Sequence, residues 1–531
     1  MAHSPQGQPG GSMGNRTSYA CFFPRRLATA VTALALMSLT ACTSPRGQSP
    51  DPSLASSSAQ APSKILTVAA TVEPATLDMT LSDPVASAQV QLYNVYETLV
   101  KIDGDGVLQP LLAQRWSVSP DRTTYTFFLN PAAKFASGAA VSADAVIKNI
   151  ERIKSGASVA TKYSRPMSLV ASQKAIDATT VQITLTKPSN TWLYSMGDTA
   201  GMIADPAGFA SLGTATAGSG PYTLDRWARG DSITLKKNAN YWANPGRFDA
   251  VVFKYFQDPN AMNAAMLGGT IDIISNEQAP DSLTQFADAG KYTILDGTTN
   301  SEVTMGLNNA NPALKDLKVR RAIAMAIDKK RLLTNVQAGH GTVIGTMTVP
   351  SDPYYEDLSG INAYNPTLAK SLLAEAGYAS GLTLRLKPAG IPYAVACAQQ
   401  IAADLKAVGV AVIIEELQFP ATWYDTVIKK GDYDMTIVGH AEARDLVTYT
   451  NPNYYWHYSN PAFTAQYQAA DGAPADAYAS EMKKAARILA EDAASVWLYV
   501  MPNLVVTKAN VTGLNHDQIT DSFDVTTIAI R

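Results

Sequence analysis

From residue 64 onward, short strand-like runs alternate with amphipathic helical patterns, and no fixed-period repeat organises them. That alternation is the strongest constraint on the fold, because strands separated by helices build α/β layers. The first strand-like run is KILTVAA (residues 64–70), followed by TTYTFFL (123–129) and VQITLT (181–186). Between them, SADAVIKNIERI reads as a helix capped by Ser142, with Val146, Ile150 and Ile153 on one face. Further strands are expected at SITLKK and AVVFKYF, and a second series begins near Val303. There DLKVRRAIAMAI starts at an Asp316 cap. It turns Ala322, Ile323, Ala326 and Ile327 inward and leaves Lys318 and Arg320 solvated. YAVACAQQIAADLKAVG reads as a helix closed by Gly409, with the strand VAVIIEEL after it. Two α/β regions joined by strand-like crossings imply two lobes with a cleft between them.

The N-terminal part is different in kind. Residues 28–44 form an apolar run too short for a transmembrane helix, which needs about 20 residues. It is preceded by Arg16, Arg25 and Arg26 and followed by a stretch rich in Ser, Pro, Ala and Gln. A basic region, a short apolar core and small residues describe an export signal. Its end, Leu39-Thr40-Ala41-Cys42, resembles the lipobox of bacterial lipoproteins, which implies acylation of Cys42 and an anchor at the outer face of the bacterial cytoplasmic membrane. Residues 1–41 are then a signal peptide and 42–63 a flexible tether. The chain carries 42 Lys+Arg against 45 Asp+Glu, and removing the signal takes away three arginines and no acid. That mildly acidic balance, with no basic run, argues against nucleic acid. Of three cysteines, Cys42 is the anchor candidate, and Cys397 shares a helical stripe with Ile401, Leu405 and Val408, as a buried thiol would.

Catalytic signatures are absent. There is no GxSxG, HExxH or glycine-rich phosphate loop. Ser480 and Lys483 make a lone SxxK within an amphipathic helix, without a companion KTG. His340, His440, His457 and His516 do not fall at metal-ligand spacing. No enzyme activity, cofactor or metal is expected.

Several segments, in order, resemble the peptide/nickel-type family 5 extracellular solute-binding proteins of ABC importers. They are VEPATLD, LYNVYETLV, LQPLLAQRWSVSPDRTTYTFFL, KFASGAAVSADAV, GSGPYTL, MLGGTIDII, VRRAIAMAID, YNPTLAKSLLAEAGY and NPAF. The resemblance implies a two-lobed periplasmic-binding-protein fold of the large kind. Lobe I would comprise residues 64–97, 215–302 and 497–531, with a subdomain inserted at 98–214, and lobe II would comprise 303–496. It also implies a monomer that engulfs a small solute, a peptide in the first reading and a nickel chelate or another non-peptide solute in the alternative. The closed form would be delivered to the transmembrane subunits of a permease.

In peptide-binding relatives an aspartate that pairs with the ligand's ammonium follows a glycine and an aromatic residue. Here Gly439 is followed by His440, and Ala443 stands at the aspartate. Either a neighbouring acid replaces it or the ligand has no free amine. The loop Glu442-Ala443-Arg444-Asp445 offers both signs of charge, so Glu442 or Asp445 is expected to meet a cation and Arg444 an anion. Position within the resemblance adds Tyr163, Asn276 and Tyr499. Tyr454, Tyr455 and Trp456 are consecutive and cannot share one face of a strand; Tyr454 and Trp456 are the cleft candidates.

Overall fold

The computed structural model describes residues 64–81, 84–156 and 159–531. The export signal, Cys42 and the tether lie outside the described residues. Among the described residues no helix is long and apolar enough to cross a membrane.

One mixed sheet of 11 strands organises the backbone. Two of its strands, Tyr292–Leu307 and Ser495–Lys508, are 16 and 14 residues long and run antiparallel. Their lower parts pair Tyr292 with Lys508 through Thr298 with Pro502, and their upper parts pair Glu302 with Val500 through Gly306 with Ser495. The ladder slips between Thr298 and Glu302. On the lower side lie Ile273–Ile274, Ile65–Ala70, Ala250–Tyr255, Ser232–Lys237 and Tyr222–Ala228; on the upper side lie Met435–His440, Leu382–Leu386 and Val410–Ile414. The sheet therefore has two halves that share two continuous strands, whose pairing is interrupted between Thr298 and Glu302 and shifts again between Val303 and Thr304.

Each half contains parallel strands. Ile65–Ala70 runs parallel to both Ala250–Tyr255 and Ile273–Ile274, and Leu382–Leu386 runs parallel to Val410–Ile414. Parallel neighbours need a long crossover, and the helix Pro392–Ala407 supplies it between the last two. Gly409, at φ +93°, turns the chain from that helix into its strand. Cys397, Ile401 and Leu405 face inward and are wholly buried. Burial pushes the Cys397 thiol up to about 12, so it stays an unreactive core group.

A separate four-stranded antiparallel sheet runs in the order Ala113–Val118, Thr124–Leu129, Thr180–Leu185, Val170–Ala175. Its middle strands alternate buried and half-buried residues, with Tyr125, Phe127, Val181 and Ile183 inward. The helix Ala143–Ser155 packs beside it. Ser142 accepts from Ala145 N at 3.2 Å, and Val146, Ile150 and Ile153 are buried, as the sequence pattern requires. This unit also touches the upper half of the large sheet's region. Arg122 Nη1 donates to Gly472 O at 3.1 Å, Asn190 Nδ2 to Asp471 O at 2.9 Å, and Thr191 N to Asp471 Oδ1 at 3.0 Å.

One residue departs from its expected setting on the helix Leu317–Ala326. Asp316 caps it through Lys318 N at 2.8 Å, but Arg320 is 8% exposed rather than solvated. Its guanidinium donates to the carbonyls of Leu314, Lys315 and Asp492, which accounts for its burial.

Candidate functional site

A cavity of about 480 Å³ opens at the level where the long strands are interrupted. Thr299, Asn300, Ser301 and Met501 lie at that interruption and line it. Several other lining residues follow the carboxyl ends of the parallel strands. Thr71 and Val72 follow Ile65–Ala70, Asn276 follows Ile273–Ile274, and Phe419 follows Val410–Ile414. His440 ends Met435–His440. Carboxyl ends of parallel strands are where α/β sheets receive ligands, because successive loops diverge there and leave a crevice. Gly439 lets the strand reach this floor: a Cβ there would lie 3.0 Å from Tyr393 Oη and 3.1 Å from Ser301 Oγ. Tyr393 Oη accepts from Gly439 N at 2.9 Å, and Asn300 Nδ2 donates to Ala441 O at 2.9 Å. These two bonds fix the segment that carries His440 and Glu442.

The charges of the cleft come in cross-element pairs. Lys162, on the helix Thr161–Ser168, forms an ion pair with Asp521 that is almost fully enclosed, the two side chains being 9% and 2% exposed. Burial works against the ammonium, but Asp521, joined by Asp198, Glu442 and Tyr163, outweighs it and holds Lys162 above its ordinary value. Three residues on, Arg165 Nη1 meets Glu442 Oε2 at 3.0 Å. His440 is neutral at physiological pH, since burial pushes its imidazole down to about 4. Its Nε2 lies 2.7 Å from Tyr455 Oη, and the two rings stack at 5.9 Å.

Beneath this surface lies a group of buried acids. Asp445 is 2% exposed and Glu302, opposite His440 in the strand register, is 3% exposed. Both oxygens of Asp445 and Oε2 of Glu302 find no hydrogen-bond partner among the described residues. Burial first, and then Glu442, raises the Asp445 carboxyl well above the usual range; burial first, and then Asp445 and Asp352, does the same to Glu302. Burial lifts Asp352 to about 6 against the pull of Arg444.

The residues singled out in the sequence divide accordingly. Asn276, His440 and Glu442 line the cleft, and Glu442 also lines a smaller adjoining cavity together with Arg444. Tyr163, Asp445, Trp456 and Tyr499 are 0–2% exposed and line neither. Trp456 stacks on Tyr449 with ring centroids 4.7 Å apart and planes at 1°, and Tyr499 Oη receives Gln337 Nε2 at 3.3 Å. These are packing contacts inside the second half, so both side chains belong to the core. Tyr454 is half-buried against Tyr455 and Trp456 and also lines neither cavity. Of that row only the Tyr455 side chain hydrogen-bonds a cleft residue, His440, and it too lines neither cavity; Tyr393 and Phe419 are the aromatics of the cleft wall. Sequence reasoning missed Lys162, Arg165, Tyr393 and Asn300; their roles depend on partners 46 or more positions away.

The family profile described as bacterial extracellular solute-binding proteins, family 5 middle, matches residues 107–463. The chain belongs to that family. Among characterised relatives, the glutathione-binding protein GsiB of Escherichia coli (strain K12) is 29% identical over 334 residues. That match covers 60% of this chain and 61% of the relative's length. Solved structures align over 88% of the chain with a TM-score of 0.77. They include AgaA from A. tumefacien R10 with agropinic acid (23% identical, 99% of that chain) and NikA from Brucella suis with Fe(III)-EDTA (24%, 100%). DppA from Helicobacter pylori with the peptide STSA aligns equally well (21%, 98%). The mixed α/β fold is thus that of two-lobed periplasmic binding proteins.

Proposed function

We propose that this family 5 protein is the extracytoplasmic receptor of an ABC importer, a monomer that captures a peptide between two lobes and passes it to the permease without chemistry. The observation that carries this reading is the cleft itself. It sits where both long strands are interrupted, and its walls come from both halves of the sheet. An interruption shared by two crossing strands is a natural hinge. In this reading residues 64–97, 215–302 and 497–531 form lobe I, 98–214 its inserted subdomain and 303–496 lobe II. Asn276, His440 and Glu442 contact the solute. GsiB and DppA bring peptides to mind through what they bind. A metal chelate is the competing solute, favoured by Ala443 standing where peptide-binding relatives carry the ammonium-binding aspartate.

Calorimetry with reduced glutathione and mixed di- and tripeptides should show saturable binding, with compaction in small-angle scattering and recovery of the peptide unchanged. Binding of Fe(III)-EDTA with no response to any peptide would favour the alternative, and release of a cleaved product would contradict a pure receptor.

Anchoring through Cys42 belongs to the same proposal. A single acyl chain holds a protein only marginally, whereas several hold it firmly. Metabolic labelling with palmitate should mark the wild-type chain, and Cys42→Ala should lose the label and release the protein. A soluble wild-type chain with an unmodified Cys42 would contradict the anchor.

A further inference from the structure

The Arg165–Glu442 pair separates the cleft from a second cavity of about 150 Å³, which adjoins it at Lys162 and Glu442. The second cavity is walled by the helices Thr161–Ser168 and Asn190–Ser195 and by the segment around Arg444. Most of its charges are already committed. Lys162 holds Asp521, and Arg165 holds Glu442. Asp198 Oδ1 accepts from Thr199 N at 2.7 Å, and Asp471 Oδ1 accepts from Thr191 N and Oγ1, each at 3.0 Å. Lys187 is exposed to solvent.

Arg444 is the exception. It is half-buried in a left-handed conformation, φ +59°, at the start of the turn Asp445–Thr450. Its guanidinium lies over the Tyr194 ring, 3.5 Å from the centroid. Among the described residues it donates no hydrogen bond and makes no ion pair. Asp352, Tyr354 and Tyr478 act on it only through space. A guanidinium offers five donors in a planar fork that matches a carboxylate in two parallel bonds. Stacking on an aromatic ring fixes the plane of that fork and leaves its edge available.

We propose that this side cavity is a carboxylate subsite, in which Arg444 receives an anionic end of the bound solute. The solute class is then an acid, such as a peptide with a free or side-chain carboxylate, lying across the Arg165–Glu442 pair. This rests on the proposed function only in that the solute enters through the cleft. The absence of an acid at Ala443 accords with it, because this end of the site then selects for negative charge.

The test is calorimetry at fixed ionic strength with four probes: reduced glutathione, glutathione with both carboxyls esterified, succinate and inorganic phosphate. Wild-type protein should bind glutathione and succinate, and should bind the diester at least tenfold more weakly than glutathione. Arg444→Gln should weaken glutathione and succinate by about tenfold to a hundredfold, the usual range for a lost charge-assisted bond, and leave the diester unchanged. Arg444→Lys should recover part of the loss. Equal affinity for acid and ester, insensitivity of the acids to Arg444→Gln, tighter binding of phosphate than succinate, or no binding of any carboxylate probe would each overturn the subsite. The acid-to-ester comparison needs only wild-type protein, so it decides even where a variant misfolds. Binding of the diester as tightly as the acid removes the subsite and keeps the peptide reading. Binding of succinate through Arg444 while every peptide fails removes the peptide reading and keeps the subsite.

Discussion

Replacing Lys162 with methionine should destabilise the protein by about 3–5 kcal/mol, the cost typical of breaking one side of an enclosed ion pair. The size follows from burial. An exposed pair is worth about 1 kcal/mol or less, because water screens it and two long side chains must be immobilised. Here the Lys162 and Asp521 side chains are 9% and 2% exposed. Methionine fills a similar volume but leaves the Asp521 carboxylate enclosed and deprived of its ammonium. Lys162→Arg should retain most of the stability, and Lys162→Met combined with Asp521→Asn should recover much of what the single change loses. Thermal melting with calorimetric analysis reads all three. Lys162→Met within about 1 kcal/mol of wild type would show that the pair is effectively solvated. Lys162 also lines both cavities, so solute affinity should fall in Lys162→Met even at temperatures where the variant is fully folded.

What the sequence made legible was local. The Ser142 and Asp316 caps, the inward stripe of Cys397, Ile401 and Leu405, and the Gly409 turn follow from spacing and from the geometry of helix ends. The α/β class followed from the same periodicities. What stayed hidden was decided by partners far away in the chain. Arg320 looks like a surface residue in its own helix, and its burial becomes favourable only when the carbonyl of Asp492, 172 positions on, joins those of Leu314 and Lys315 around the guanidinium. The row Tyr454-Tyr455-Trp456 shows no period that would sort its members; Tyr449 takes Trp456 into the core, while His440 takes Tyr455 to the site. In the charged loop, Asp445 turns inward and Arg444 faces a cavity. Neighbours of opposite fate at one turn are set by a left-handed residue, which no charge pattern announces.

The inward turn of Asp445 should make the protein lose stability as pH rises above the ordinary carboxylate range, a loss best followed between about 6.5 and 8. In the unfolded chain Asp and Glu titrate near 3.9 and 4.3. In the folded protein Asp445 and Glu302 are both raised well above that, chiefly by burial, and Asp445 adds to the rise at Glu302. Arg165 opposes this at Asp445, and Glu442 reinforces it. A carboxyl whose folded value is raised gives stability that is complete below the unfolded value and is lost as pH climbs through the folded one. Each retained proton costs about 1.4 kcal/mol per pH unit over that interval. The choice of window matters because two neighbours act in opposite senses below it. Asp352, at about 6, loses stability as pH rises from 4 to 6, whereas His440, at about 4, gains it as pH rises toward 6.5. Above 6.5 both approach the same state folded and unfolded; Lys329, pushed down to about 8 by burial, is about half neutral at the top of the window, but it is common to wild type and variant and cancels in their difference. Glu302→Gln with Asp445→Asn should therefore leave stability near pH 4 little changed, make the protein more stable than wild type at pH 8, and flatten the slope between 6.5 and 8. Other raised acids such as Glu97 and Glu277 keep their contribution in both proteins, so the difference isolates this pair. Denaturant melts of the two proteins across that range measure it, and parallel slopes would mean that the two carboxyls ionise at the ordinary pH despite their burial.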